Sequence, residues 1–207
     1  MKQALFRIAT SVLLMSAFSG CAPVVLVGGA AATGALVAED RRTTGIQLED
    51  KNIEIKASSR INEKHKDTVH INVTSFNRNV LITGEAPTTA VKADIEKIVA
   101  GIENVRGVIN EIAVAGMSSL GTRANDAYIT SKVKAAYLSE SKFYPNHVKV
   151  VTESNIVYLM GIVLKKEADD ATEITRGVGG VQKVVRVFEY GQIVQPAAPH
   201  PPAKTGG

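Results

Sequence analysis

Between residues 45 and 190 the apolar positions alternate between helical and strand spacing, and the same order of changes occurs twice. In the second half, Ile129, Val133, Ala136 and Tyr137 recur at helical spacing, which predicts a helix whose start is capped by Asn125 or Asp126. Pro145 and Asn146 end the connection that follows. Val148 and Val150, and then residues 156–163, read as two strands joined by a tight turn near Glu153, Ser154 and Asn155. Residues 165–176 (KKEADDATEITR) form a charged helical pattern, and residues 181–190 return as a strand. The first half predicts a helix near 50–62, strands near 70–75 and 80–85, a helix near 89–102 and a strand near 108–115. Residues 117–122 (MSSLGT) read as the joint.

The repetition extends to short motifs. Asn79-Val80-Leu81-Ile82-Thr83-Gly84 is echoed by Ile156-Val157-Tyr158-Leu159-Met160-Gly161. Val105-Arg106-Gly107-Val108, with Ile112 and Val114, is echoed by Val178-Gly179-Gly180-Val181, with Val185 and Val187. Asp50-x-x-Ile53 matches Asp126-x-x-Ile129. On this alignment the second half is shorter, between its strand-ending Gly and its final motif, by about one helical turn. Internal duplication follows. Each half is expected to be a small α+β unit of order αββαβ, a three-stranded sheet with two helices on one face. The units span residues 46–116 and 117–191.

The ends are of a different kind. Residues 1–7 carry Lys2 and Arg7 without an acid, and residues 8–18 (IATSVLLMSAF) are apolar but too short to span a bilayer. Ser19 and Gly20 are small, and Cys21 is the chain's one cysteine, so no internal disulfide can form. Residues 1–20 therefore read as a signal peptide, and residues 21–45 as a Gly- and Ala-rich tether. Residues 192–207 form a Pro-rich tail expected to be disordered.

Composition narrows the function classes. The formal charge is +4, and loss of Lys2 and Arg7 with the signal leaves +2, without the clustered Lys and Arg that mark a nucleic-acid binder. Gly28, Gly29 and Gly34 lack the Lys-Ser/Thr end of a phosphate-binding loop. His65, His70, His147 and His200 sit in different elements, and none forms a helical i, i+4 metal pair; His65 and His70 are expected at the surface. Asp169, Asp170 and Glu173 lie among Lys165, Lys166 and Arg176 and read as a solvated, ion-paired helix face. No serine sits in a nucleophile elbow. The chain is expected to be neither an enzyme nor a cofactor or metal carrier.

Phe18-Ser19-Gly20-Cys21 resembles the lipobox of bacterial lipoproteins, although its first position is usually Leu. The resemblance implies cleavage before a lipidated Cys21. Ala22 stands where Asp would retain such a lipoprotein in the inner membrane, which points to the outer membrane, facing the periplasm. The alternative is an ordinary secretory signal followed by a buried free Cys. The strand-ending Gly84 and Gly161, and the later Gly107-Val108 and Gly180-Val181 with their alternating apolar residues, resemble BON domains. Together with the lipobox they are similar to dual-BON outer-membrane lipoproteins linked to division-site and envelope integrity. That resemblance implies a non-catalytic module that binds an anionic phospholipid membrane through its second BON domain. It also implies work near outer-membrane protein assembly machinery or division-site proteins. The alternative function is a protein–protein adaptor for which the lipid is only a tether.

A helical projection at about 100° per residue places Ile129, Val133, Ala136 and Tyr137 on the core face and leaves Tyr128 and Leu138 outside it, near Lys132 and Lys134. An amphipathic aromatic, a Leu and neighbouring ammonium groups suit an anionic headgroup layer. The family's lipid-contacting helix matches these positions, with Tyr128 where an aromatic Trp is typical, and adds Val133, which the projection assigns to the core.

Overall fold

The computed structural model describes residues 40–191. Signal peptide, Cys21, most of the tether and the Pro-rich tail lie outside the described residues. The first unit runs α1 (Thr44–His65), β1 (His70–Phe76), β2 (Asn79–Ala86), α2 (Thr89–Ala100), and a final strand in two pieces, β3 (Gly107–Asn110) and β4 (Ala113–Val114). The second runs α3 (Leu120–Glu140), β5 (Lys149–Glu153), β6 (Ile156–Val163), α4 (Lys165–Arg176) and β7 (Lys183–Tyr190). In each sheet the middle strand pairs antiparallel with the strand before it and parallel with the strand after the helix. The αββαβ order expected from the sequence is present twice, and the fold class is α+β.

Both first helices begin earlier than the apolar spacing suggests. Thr43 caps α1 by accepting from the Ile46 N–H, and Ser119 caps α3 by accepting from the Thr122 N–H. The expected cap at Asn125 or Asp126 is therefore corrected: α3 starts at Leu120, inside the segment read as a joint. Asp126 is buried in the helix, and its carboxylate accepts from the Ser154 and Asn155 N–H groups at 2.8 Å each. Asp50 does the same for Asn77 (2.8 Å) and Arg78 (2.7 Å). Those four residues have positive φ, from 49° to 65°, the conformation a two-residue hairpin needs. The repeated Asp-x-x-Ile thus joins a turn-holding carboxylate to the first core residue of the helix.

The alignment of the last motif also changes. Arg106 N donates to Arg78 O, and Gln182 N donates to Asn155 O, at equivalent places beside the hairpins. Asn79 pairs with Gly107 while Ile156 pairs with Lys183. Gly107 therefore corresponds to Lys183 and not to Gly180; the counterpart of Gly180 (φ 103°) is Asn104 (φ 67°). Both α2 and α4 have 12 residues, so the expected missing turn reduces to one residue in the connections.

The alternation within the middle strands explains the packing. Val80, Ile82 and Ala86 join Ile53, Ala57, Ile61, Ile95 and Val99 under the helices of the first unit. Val157, Leu159 and Val163 join Ile129, Val133 and Tyr137 in the second. The other face of each strand is apolar as well: Phe76 and Leu81 from the first unit meet Tyr158 and Met160 from the second in a third buried cluster. Both sheets are thus covered on two faces, which accounts for the nearly continuous apolar runs of β2 and β6. Burial pushes the Tyr158 hydroxyl up to about 12, and Glu111 and Glu153 add negative charge beside it. Lys149 Nζ to Glu54 (2.9 Å) and Asn79 to Glu189 (2.8 Å) also cross this seam.

The chain before α1 is fastened to the second unit. Arg41 makes a two-pronged pair with Glu167 at 2.6 and 2.9 Å and donates to Ile162 O at 2.8 Å. Burial pushes the Glu167 carboxyl up, but Arg41, the Leu164 N–H and His147 together outweigh it and hold the group below its ordinary range.

Three outcomes test this architecture. A Cβ at Gly84 or Gly161 would overlap the carbonyl of His70 or His147 respectively. Gly84→Ala and Gly161→Ala should each cost about 1–3 kcal/mol in urea unfolding, whereas Gly116→Ala, in open space, should cost little. Asp126→Ala strands two turn N–H groups and should cost about 1–3 kcal/mol on the same measurement. Because the Glu167 carboxyl is depressed, its contribution is whole above the ordinary carboxylate value near 4.5 and is lost as pH falls through the lower folded value. Thermal midpoints measured from pH 6 down to 3 should therefore fall less steeply in Glu167→Gln than in the parent chain.

Candidate functional site

α3 has 21 residues, and its buried positions Asp126, Ile129, Val133 and Tyr137 fix which side packs on the sheet. Tyr137 is held firmly: its hydroxyl meets Thr175 Oγ1 at 2.6 Å and donates to Ala171 O, and burial pushes it up to about 12. The opposite side is open. Leu120, Ala124, Ala127, Tyr128, Ala135 and Leu138 are all exposed and fall within a sector of about 100°. Leu120 is 81% exposed, Tyr128 62% and Leu138 69%, so the stripe runs about 27 Å along the helix. Ser131, within the stripe, turns its hydroxyl back onto Tyr128 O at 2.7 Å. No acid is exposed on α3 before Glu140, since Asp126 is buried.

The expected lipid-facing residues fare differently. Tyr128 and Leu138 stand outside the core as projected. Val133 is fully buried among Ile129, Tyr137 and Leu159; it has no surface to offer, which corrects its inclusion. Lys132 donates to Gly179 O and lies 4.8 Å from the centre of the Tyr128 ring, so its ammonium is engaged by its own domain. Lys134 is exposed and makes no ion pair or hydrogen bond among the described residues. Leu120 was missed because its segment read as a joint; Ser119, a favoured N-cap residue, was the available signal.

Lys134 and Leu138 also border a groove of about 530 Å³ between the end of α3 and the start of the first unit. Arg42 and Lys149 stand in its wall with Asp40. Arg42 is paired with Asp40 (2.6 Å) and Asp50 (2.7 Å) and covers the Phe76 ring, and Lys149 is paired with Glu54 (2.9 Å), so among the described residues Lys134 is the cation there without a carboxylate.

The first unit supplies an internal comparison. Asp50, Ile53, Ala57 and Ile61 occupy the places of Asp126, Ile129, Val133 and Tyr137. At the same offset, Tyr128, Lys134 and Leu138 are replaced by Asn52, Ser58 and Asn62. α1 does expose Leu48 and Ile55, but Glu49 and Glu54 stand beside them and no matching stripe forms.

His65 and His70 were expected at the surface, and this too is corrected. His65 is half-buried against Asp94 at 2.7 Å, His147 is buried against Glu167 at 3.3 Å, and His70 is half-buried 3.9 Å from Glu153. The charged face of α4 is as expected, with Lys165–Asp169 and Lys166–Asp170 pairs at 2.9 and 2.6 Å. Arg176–Glu173 at 3.9 Å and Arg186–Asp169 at 2.8 Å add two more. Hydrogen bonds from Lys165 and Arg186 hold the Asp169 carboxyl below its ordinary value.

Comparison with known proteins agrees with the duplicated architecture. The chain is 34% identical over 173 residues to the outer membrane lipoprotein DolP of Haemophilus influenzae, covering 83% of this chain and 89% of that one. It is 34% identical over 155 residues to a 21 kDa hemolysin of Actinobacillus pleuropneumoniae, covering 74% and 80% respectively. Identity to the osmotically-inducible protein Y of Escherichia coli is 27% over 180 residues, covering 77% and 90%. The BON domain is matched twice, over residues 49–116 and 125–192, and the chain belongs to the BON domain family.

Proposed function

We propose that this chain is an outer-membrane lipoprotein, anchored at Cys21 on the periplasmic face, whose second BON domain docks on anionic phospholipid through the exposed side of α3. The stripe from Leu120 to Leu138 carries the reading: it is continuous, free of acids and bordered by Lys134, which is unpaired among the described residues. Its relatives support the location, since one of them is named an outer membrane lipoprotein. Among the described residues no helix is long and apolar enough to cross a membrane, which suits a lipid anchor.

The chemistry is that of an interfacial helix. Leu138 gains about 1.5–3 kcal/mol if it is fully buried among acyl chains. The Tyr128 ring has an apolar body and a polar tip suited to the headgroup boundary, and Lys132 holds it from the protein side. Lys134 near an anionic surface contributes about 1 kcal/mol, screened by salt. In this reading the domain senses the membrane while Cys21 keeps it there, and the chain supports envelope integrity.

A soluble form of residues 37–207, which keeps Arg41 and Arg42, should bind vesicles containing phosphatidylglycerol and ignore vesicles of phosphatidylcholine alone. Tyr128→Ser with Leu138→Ser should weaken that binding at least tenfold without changing the circular dichroism spectrum. Leu48→Ser with Ile55→Ser should leave it unchanged. Unaltered binding in the α3 variant would sink the assigned surface, and no binding by the parent would give the stripe to a protein partner, the adaptor function. Mass spectrometry of the mature chain should find diacylglycerol on Cys21 and nothing before it; an unmodified Cys21 would refute the anchor.

A further inference from the structure

We propose that His70, Glu85 and Glu153 form a site for a divalent cation of the zinc class at the seam between the two BON domains. His70 opens β1 and Glu85 lies directly across from it on β2. Glu153 closes β5 in the other domain. One ligand atom from each of the three lies within 4.8 Å of the other two.

Burial and charge point to a missing cation. Glu85 is 4% exposed and Glu153 6%, and two buried carboxylates this close repel unless something positive stands between them. Among the described residues no Lys or Arg pairs with either; the nearest basic group is the His70 ring, 3.9 Å from Glu153. Arg123 stands in the adjoining cavity, but its Nε donates to Ser118 Oγ. Asp126, also in that wall, is taken up by the hairpin turn.

The surrounding donors arrange the carboxylates as outer ligand partners do. Glu153 Oε2 accepts from Asn72 at 2.8 Å and Thr83 at 3.1 Å, leaving Oε1 toward His70. Glu85 Oε2 accepts from the Ser118 N–H and hydroxyl at 3.2 and 3.1 Å. Among the described residues its Oε1 receives only a long contact of 3.4 Å from Ser154 Oγ. Each carboxylate thus has one oxygen held and one available.

An imidazole nitrogen with two carboxylate oxygens suits zinc and its neighbours better than calcium or magnesium, which take oxygen ligands. Bound metal would draw the three groups to about 2.0–2.2 Å from itself, a contraction that the three side chains would share. A cavity of about 260 Å³ opens onto His70 and Glu153, with room for a water as fourth ligand and a route in from solvent. Since the ligands come from both domains, the metal would fasten one to the other, and its binding energy would add to the stability of the pair.

The full-length chain, purified in detergent and stripped with a chelator, should take up about one zinc ion when titrated with zinc chloride. Its thermal midpoint should rise with excess zinc. His70→Gln, Glu85→Gln and Glu153→Gln should each weaken zinc binding at least tenfold and abolish that rise, while His65→Gln leaves both intact. X-ray absorption on the zinc-loaded parent chain should show imidazole and oxygen ligands, a readout that needs no variant. Absence of zinc uptake, or uptake that survives in all three Gln variants, would overturn the proposal. So would a midpoint that ignores zinc in the parent but rises in Glu85→Gln, which would make the pair carboxylates that share a proton.

Discussion

A three-stranded sheet has two faces, and two helices cover only one of them. In this chain the second face is apolar in both copies, and the contact of Phe76 and Leu81 with Tyr158 and Met160 is what the rest of the molecule depends on. At about 1.5–3 kcal/mol for each fully buried large side chain, these four contribute roughly 6–12 kcal/mol gross before ordering costs. Neither domain could show that face to water without forming the kind of exposed patch that drives association. Duplication therefore does structural work here: each copy supplies the layer that the other lacks.

The seam also decides what is left for function. With both sheets closed on both sides, α1 to α4 carry the outward surfaces, and the two first helices differ there in kind. They share a turn-holding Asp and the same buried spacing, yet one presents Asn52, Ser58 and Asn62 where the other presents Tyr128, Lys134 and Leu138. Identical scaffolds with unlike outer faces separate what the fold requires from what a ligand would require.

Much of this was legible in the sequence because the period of apolar residues reports directly on which side of an element is buried. The doubled αββαβ order, the exposed Tyr128 and Leu138 and the ion-paired face of α4 follow from spacing alone. Helix starts did not, because the first turns of α1 and α3 bury nothing; their only marks are the capping hydroxyls of Thr43 and Ser119. The last motif was misaligned by three residues because Gly107 and Gly180 look alike in a sequence, while the backbone equates Gly180 with the left-handed Asn104. The grouping of His70, Glu85 and Glu153 was out of reach altogether, since it exists only once two sheets from different parts of the chain are in contact.

The grip of Arg41 on Glu167 has a consequence that concerns distance. Arg41, 20 residues after Cys21, is held to the folded body. A fully extended chain covers about 3.3–3.6 Å per residue, so Arg41 lies at most about 70 Å from Cys21. On the proposed function, a lipid at Cys21 would confine the domain pair to a shallow layer above its own membrane, where α3 would meet the same leaflet at high local concentration. Under that confinement even a weak surface contact would be occupied much of the time, and the proposed docking would need no aromatic larger than Tyr128.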